Sequence, residues 1–156
     1  SEPVKFLLKF LLCVVPFFAV WIFAGKYYVY LVMFLSKLFL SFSNYSFSSS
    51  GLTYFVSHSG LRLRMELVKA VLIDFNIVPF FALILATKSE WKRKLIYMGI
   101  GFLAILLVHS ITMAFYITYL FNVSEPLYYF YSLSTIINPA LPFIVWFLLF
   151  YQGKKN

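Results

Sequence analysis

The most regular feature of the chain is a pair of long apolar runs on either side of a short basic stretch. Ala70–Phe121 reads VLIDFNIVPFFALILAT, then KSEWKRK, then LIYMGIGFLAILLVHSITMAFYITYLF, after a leading alanine. Runs of that length carry too few charges to offer a polar face to water. A compact cationic turn between them is the pattern of a transmembrane helical hairpin whose turn lies in the cytoplasm. Two further runs have the same character. Val4–Ala24 opens with Lys5 and Lys9. It is long for a signal peptide and has no clear small-x-small cleavage site before Gly25, so it reads as a retained anchor helix, kinked at Pro16. Leu127–Tyr151 closes the set. The predicted spans are therefore Val4–Ala24, Ala70–Thr87, Leu95–Phe121 and Leu127–Tyr151. As a helix the third would reach ~40 Å against a hydrocarbon core of ~30 Å, so it must tilt or protrude.

Between the first two spans the pattern changes. Lys26–Phe42 is apolar but short, is interrupted by Lys37, and carries the interface-type residues Tyr27, Tyr28 and Tyr30. A helix lying on the membrane surface fits these features, and a short second span competes with it. Ser43–Gly60 is rich in serine and free of charge. In Leu61–Leu67, Leu61, Leu63, Met65 and Leu67 alternate with Arg62, Arg64 and Glu66. Period two predicts a strand, with Leu52–Val56 as its partner and Ser57–Gly60 as the turn. The fold class expected is an all-α membrane protein: one domain, a bundle of four transmembrane helices, with a small extracytoplasmic segment at Gly25–Lys69 made of an interfacial helix and a β-hairpin.

Charge fixes the expected orientation. With four spans and the amino terminus inside, Lys5, Lys9, Lys88, Lys92, Arg93, Lys94, Lys154 and Lys155 face the cytoplasm, while Lys26, Lys37, Arg62, Arg64 and Lys69 face outward. A fifth span at Lys26–Phe42 would force one of the basic clusters outside. The four-span arrangement also places the sequons at Asn44 and Asn122 outside. Both termini are thus expected in the cytoplasm; separately, a prokaryotic inner membrane is the expected location.

Composition agrees. Of 156 residues, 63% are hydrophobic and only 12% charged, and mean hydropathy is +0.90. A soluble domain carries about twice that share of charge. The net charge of +8 is accounted for by anionic lipid headgroups, so lipids and other membrane subunits are the expected partners and nucleic acid is not. Cys13 is the single cysteine and sits in an apolar run, as a small hydrophobe does.

Polar groups inside the spans are the candidate chemistry, because they are expensive there. His109 lies near the middle of the third span and is the one cofactor-binding candidate: a neutral imidazole could ligate haem iron or a pigment magnesium, relay protons, or hydrogen-bond to a neighbouring helix. The sequence requires no cofactor. Asp74 suits a helix amino terminus and could pair with Arg62, Arg64 or Lys69. Asn76 and Asn138 are further intramembrane polar candidates. Gly101, Ala104, Val108 and Thr112 form a small-residue stripe with His109 on its flank. Ser132, Thr135, Pro139, Pro142 and Trp146 share a second face, with Asn138 beside it. No phosphate loop, metal-spaced His or Cys set, or G-x-S-x-G elbow is present, so no catalytic residue is assigned.

The succession of a basic FLLKFLL anchor with a proline, an outward strand region leading into DFNIVPFFALILAT, a basic turn, a long helix and a terminal INPALPFIVWFLLF resembles the small integral membrane proteins associated with exosortase H, and the exosortase and archaeosortase helices. The resemblance implies a role beside a membrane transpeptidase of the Cys/Arg/His type. This chain departs from that triad, with Cys13 in the first helix and no arginine inside a span, so an accessory role carries over and catalysis does not. A structural subunit of a respiratory or photosynthetic complex, and an intramembrane enzyme or transporter, are the other classes that the composition admits.

Overall fold

The computed structural model describes residues 1–152, apart from the side chain of Gln152; the Lys154 and Lys155 tail expected in the cytoplasm lies outside the described residues. The chain is mostly helical, with one small sheet. Helix α1 is Glu2–Leu40; strands β1 (Ser46–Ser50), β2 (Thr53–His58) and β3 (Leu61–Glu66) follow; then come α2 (Val68–Ile73), α3 (Ile77–Ala86), α4 (Trp91–Phe121), α5 (Glu125–Ile137) and α6 (Leu141–Gln152). Short 3-10 turns at Asp74–Asn76 and Asn138–Ala140 join α2 to α3 and α5 to α6. Four helical stretches are long and apolar enough to cross a membrane: Glu2–Leu40, Val68–Ala86, Trp91–Phe121 and Glu125–Tyr151.

The expected surface helix at Lys26–Phe42 is not a separate element. Helix α1 runs through it unbroken for 39 residues, a length of ~58 Å at 1.5 Å per residue. The reason lies in what the sequence omits. After Pro16 no residue stops a helix until Ser41–Asn44, where Asn44 takes a left-handed φ of 54°. Gly25 is buried inside the helix and does not end it.

The chain divides into two compact units. The first holds Ser1–Ala24, Phe75–Leu106 and the chain from Asn138 onward; the second holds Gly25–Asp74 and Leu107–Ile137.

In the first unit α3 packs on α6, and most of α3 is buried. Gly101 of α4 is there because nothing larger fits. A Cβ at that position would lie 1.9 Å from Cζ of Phe80, a ring with no exposed surface. The turn after α3 is tied down by Lys94, whose ammonium donates to the Leu85 carbonyl at 3.0 Å and so covers the open end of that helix. Lys88 of the same turn pairs with Glu2 at 2.6 Å.

In the second unit an apolar cluster joins α1 (Val29, Met33, Leu40), the sheet (Tyr54, Val56, Met65) and α4 (Ala114, Ile117). The expected hairpin is present as β2 and β3, antiparallel, with Val56 opposite Leu63 and Tyr54 opposite Met65. A third strand, β1, extends it in the order β1-β2-β3, with Phe47 opposite Val56 and Ser49 opposite Tyr54. Both connections are two-residue turns of the kind that match strand twist. Gly51 opens the first at φ 59°, and Ser59 and Gly60 make the second at φ 52° and 81°. Burial pushes the Tyr54 hydroxyl above its usual pKa, Tyr30 adds to the rise, and a hydrogen bond with Ser49 opposes it.

The buried line along α4 differs from the small-residue stripe. It passes through Gly101, Ile105, His109, Ser110, Ala114 and Ile117, while Val108 is exposed. On the last span Pro142 is buried and Asn138 and Trp146 are half-buried, but Thr135 and Pro139 turn outward, so only part of the expected inner face is inward.

Candidate functional site

The strongest concentration of buried polarity is in the second unit and centres on His109. Three elements supply it. Tyr28 lies one turn beyond Gly25 on α1, His109 lies on α4, and Asp74 begins the 3-10 turn after α2. That turn exists because Pro79, in the first turn of α3, has no N–H for the Phe75 carbonyl and its ring crowds that carbonyl. The chain therefore leaves regular α-helix where Asp74 must be aimed.

Exposure is 6% for Tyr28, 5% for His109 and 7% for Asp74. The Tyr28 hydroxyl is 2.8 Å from Nδ1 of His109, and the two rings meet edge to face at 86°. The same Nδ1 is 3.6 Å from Oδ1 of Asp74. One nitrogen thus serves two neighbours. If it lacks hydrogen it accepts from Tyr28; if it carries hydrogen it can donate to the tyrosine oxygen or toward the carboxylate. Oδ2 of Asp74 is buried without a hydrogen-bond partner among the described residues. Two turns further along α1, Ser36 shares its one hydrogen between the Val32 carbonyl at 2.7 Å and the Ser110 carbonyl at 2.9 Å. This ties α1 to α4 beside the cluster.

Asp74 makes none of the pairs weighed from sequence. Arg64 reaches Glu66 instead, at 2.6 Å on the exposed face of β3, while Asp74 turns inward to His109. Tyr28 and Ser36 were not foreseen; Tyr28 reads from sequence as an interface residue. A metal or haem approaching His109 through Nδ1 would have to displace Tyr28. No group of three or more candidate metal ligands occurs among the described residues.

The remaining two candidates meet each other in the first unit. Nδ2 of Asn76 donates to the backbone carbonyl of Asn138 at 2.8 Å and to its Oδ1 at 2.6 Å. The logic is again proline. In an α-helix the Asn138 carbonyl would accept from residue 142, which is Pro142 and has no N–H. Asn76 supplies the missing donor, so two proline-interrupted helices are joined at their interruptions. Nearby, Nε1 of Trp146 donates to Oγ1 of Thr87 at 2.8 Å. Asn76→Leu is expected to lose about 1–3 kcal/mol, the cost of leaving buried groups unpaired. Pro142→Ala, which restores an N–H, should shrink that loss. Unfolding of the two single variants and the double variant in micelles measures the coupling.

No family model matches the chain, no curated protein matches it, and no solved structure matches it.

Proposed function

We propose that this chain is a non-catalytic accessory subunit of a larger membrane assembly, multi-pass, with both termini in the cytoplasm of a prokaryotic inner membrane. The observation that carries the reading is the uneven burial of its spans. Only 6% of the most apolar stretch of the first span and 11% of that in the last are buried, against 50% and 39% in the two between. The outer spans are surface on offer, to lipid and to partner helices alike. In a bilayer, association rests on close packing and interhelical hydrogen bonds, not on hydrophobic transfer. Exposed aromatic side chains such as Tyr128, Tyr129 and Phe130 on α5 add contact area at little entropic cost. The polar groups of the spans support the same reading. Tyr28, His109, Asn76, Asn138, Ser36 and Trp146 all bond to other segments of this chain, as clasps do.

The class of assembly favoured is exosortase-type protein sorting, on the order of elements described above. Purification in mild detergent should bring one other membrane protein with the chain in fixed ratio. A stable monomer that turned over a substrate alone would overturn the reading. The orientation draws support from the Glu2–Lys88 pair, which holds the amino terminus against the basic turn. Single cysteines at Ser50 and Ser89, in a Cys13→Ser background, should label from opposite sides of the membrane, with Ser89 inside.

A further inference from the structure

Among the described residues, no further strand pairs with either edge of the sheet of the second unit, and the two edges are not alike. The β3 edge carries Arg62, Arg64 and Glu66, charges of the kind that keep foreign strands away. The β1 edge is Ser-Phe-Ser-Ser-Ser, with no charge and no proline, and four of its five residues are exposed. Its backbone is also correctly aimed for pairing. In a two-residue hairpin the residues flanking the turn exchange both hydrogen bonds, and bonded positions then alternate. Ser50, Ser48 and Ser46, opposite Thr53, Phe55 and Ser57, thus spend their backbone groups on β2. Phe47 and Ser49 direct theirs away from the sheet.

One cation stands beside this edge and makes no ion pair with a carboxylate of the described residues. The Lys37 ammonium lies over the rings of Phe47 and Tyr54, at 5.5 and 5.1 Å, on the core side. Among the described residues, the carboxylates in ion pairs are Glu66, Glu2 and Asp74, with Arg64, Lys88 and His109. A strand laid along β1 would present alternate side chains to the two faces, and those on the core side would turn toward Lys37.

We infer that the β1 edge binds an extended, acidic segment of a partner protein as a fourth antiparallel or parallel strand. Backbone bonds to Phe47 and Ser49 supply affinity, and Lys37 selects carboxylates. This rests on the reading of the chain as a subunit, and it names how one contact is made.

The test uses the full chain in micelles and two fluorescent eight-residue peptides, one alternating Val with Glu and one alternating Val with Lys. The Glu peptide should bind, with at least tenfold preference over the Lys peptide, and added salt should weaken it. Ser49→Pro removes an outward N–H while sparing the β1–β2 ladder and should abolish binding; Ser49→Ala keeps that N–H and should retain it. Lys37→Gln should erase the preference. Equal binding of both peptides, binding of neither, or binding that survives Ser49→Pro would overturn the inference. If the peptides fail while a partner still co-purifies, the docking mode falls and the subunit reading stands. If the Glu peptide binds as described but no partner is ever recovered, the subunit reading falls instead.

Discussion

His109→Leu is expected to be the most damaging single change in the second unit. It leaves the Tyr28 hydroxyl without Nδ1 and removes the imidazole that faces Asp74, whose second oxygen has no hydrogen-bond partner among the described residues. Stranding one member of a buried charged pair costs about 3–5 kcal/mol in soluble proteins. Single interhelical hydrogen bonds in a bilayer are worth less, about 0.6 kcal/mol on average. The larger figure therefore applies only if the loss comes from the stranded carboxylate, and a second substitution decides that. His109→Leu combined with Asp74→Leu removes both groups and should recover most of the stability lost by His109→Leu alone. His109→Gln keeps a polar group and should fall between. Denaturation in mixed micelles, followed by tyrosine and tryptophan fluorescence, ranks the four proteins. A double variant less stable than His109→Leu would show that the imidazole works by packing and not by compensating Asp74.

Gly101→Ala should lose about 1–3 kcal/mol, the usual range for overpacking a closed core. One methyl group is a small change, but it would stand 1.9 Å from Phe80 Cζ and 2.6 and 2.8 Å from its two Cε atoms. The ring is fully enclosed. Phe80→Leu withdraws those atoms. Alone it destabilises by leaving a void; combined with Gly101→Ala it should cost less than the sum of the two, since the methyl fills part of the space. Gly99, two residues earlier, has nothing within 4 Å of such a methyl and should accept alanine freely. Thermal unfolding of Gly99→Ala beside Gly101→Ala separates a packing effect from one of helix propensity.

The parts of the fold that sequence disclosed are those where one physical signal dominates. Uninterrupted apolar runs stand out because water tolerates no such surface, and Leu61–Leu67 stands out because every second residue must leave the core. β1 lacks that signal. Phe47 is its one large residue turned to the core, and serine on both faces leaves no period to read. The continuity of α1 was hidden for a different reason. Tyr27, Tyr28, Tyr30 and Lys37 are typical of an interface, yet within α1 Tyr28 is buried and Lys37 rests on aromatic rings. The site divides in the same way. His109, Asp74, Asn76 and Asn138 are visible as costly residues in apolar surroundings, whatever their neighbours. Their partners are not, because Tyr28 and His109 are 81 positions apart and Asn76 and Asn138 are 62 apart. Only the folded chain brings them within bonding distance. The one pairing that nearness in sequence did suggest, Asp74 with Arg62, Arg64 or Lys69, is the one not made.

The bareness of the first span also bears on how the protein is made. A helix that few neighbours cover needs none of them in order to enter a bilayer, and Val4–Ala24 carries two lysines, Lys5 and Lys9, near its start and then a purely apolar stretch. It can leave the translocation channel as soon as it is synthesised. Val68–Ala86 is different: it carries Asp74 and Asn76, and half of its apolar window is buried against other segments. Synthesis delivers Tyr28 first, Asp74 next and His109 last. Asp74 therefore meets His109 only after α4 has emerged, and the two central spans are expected to enter the lipid together.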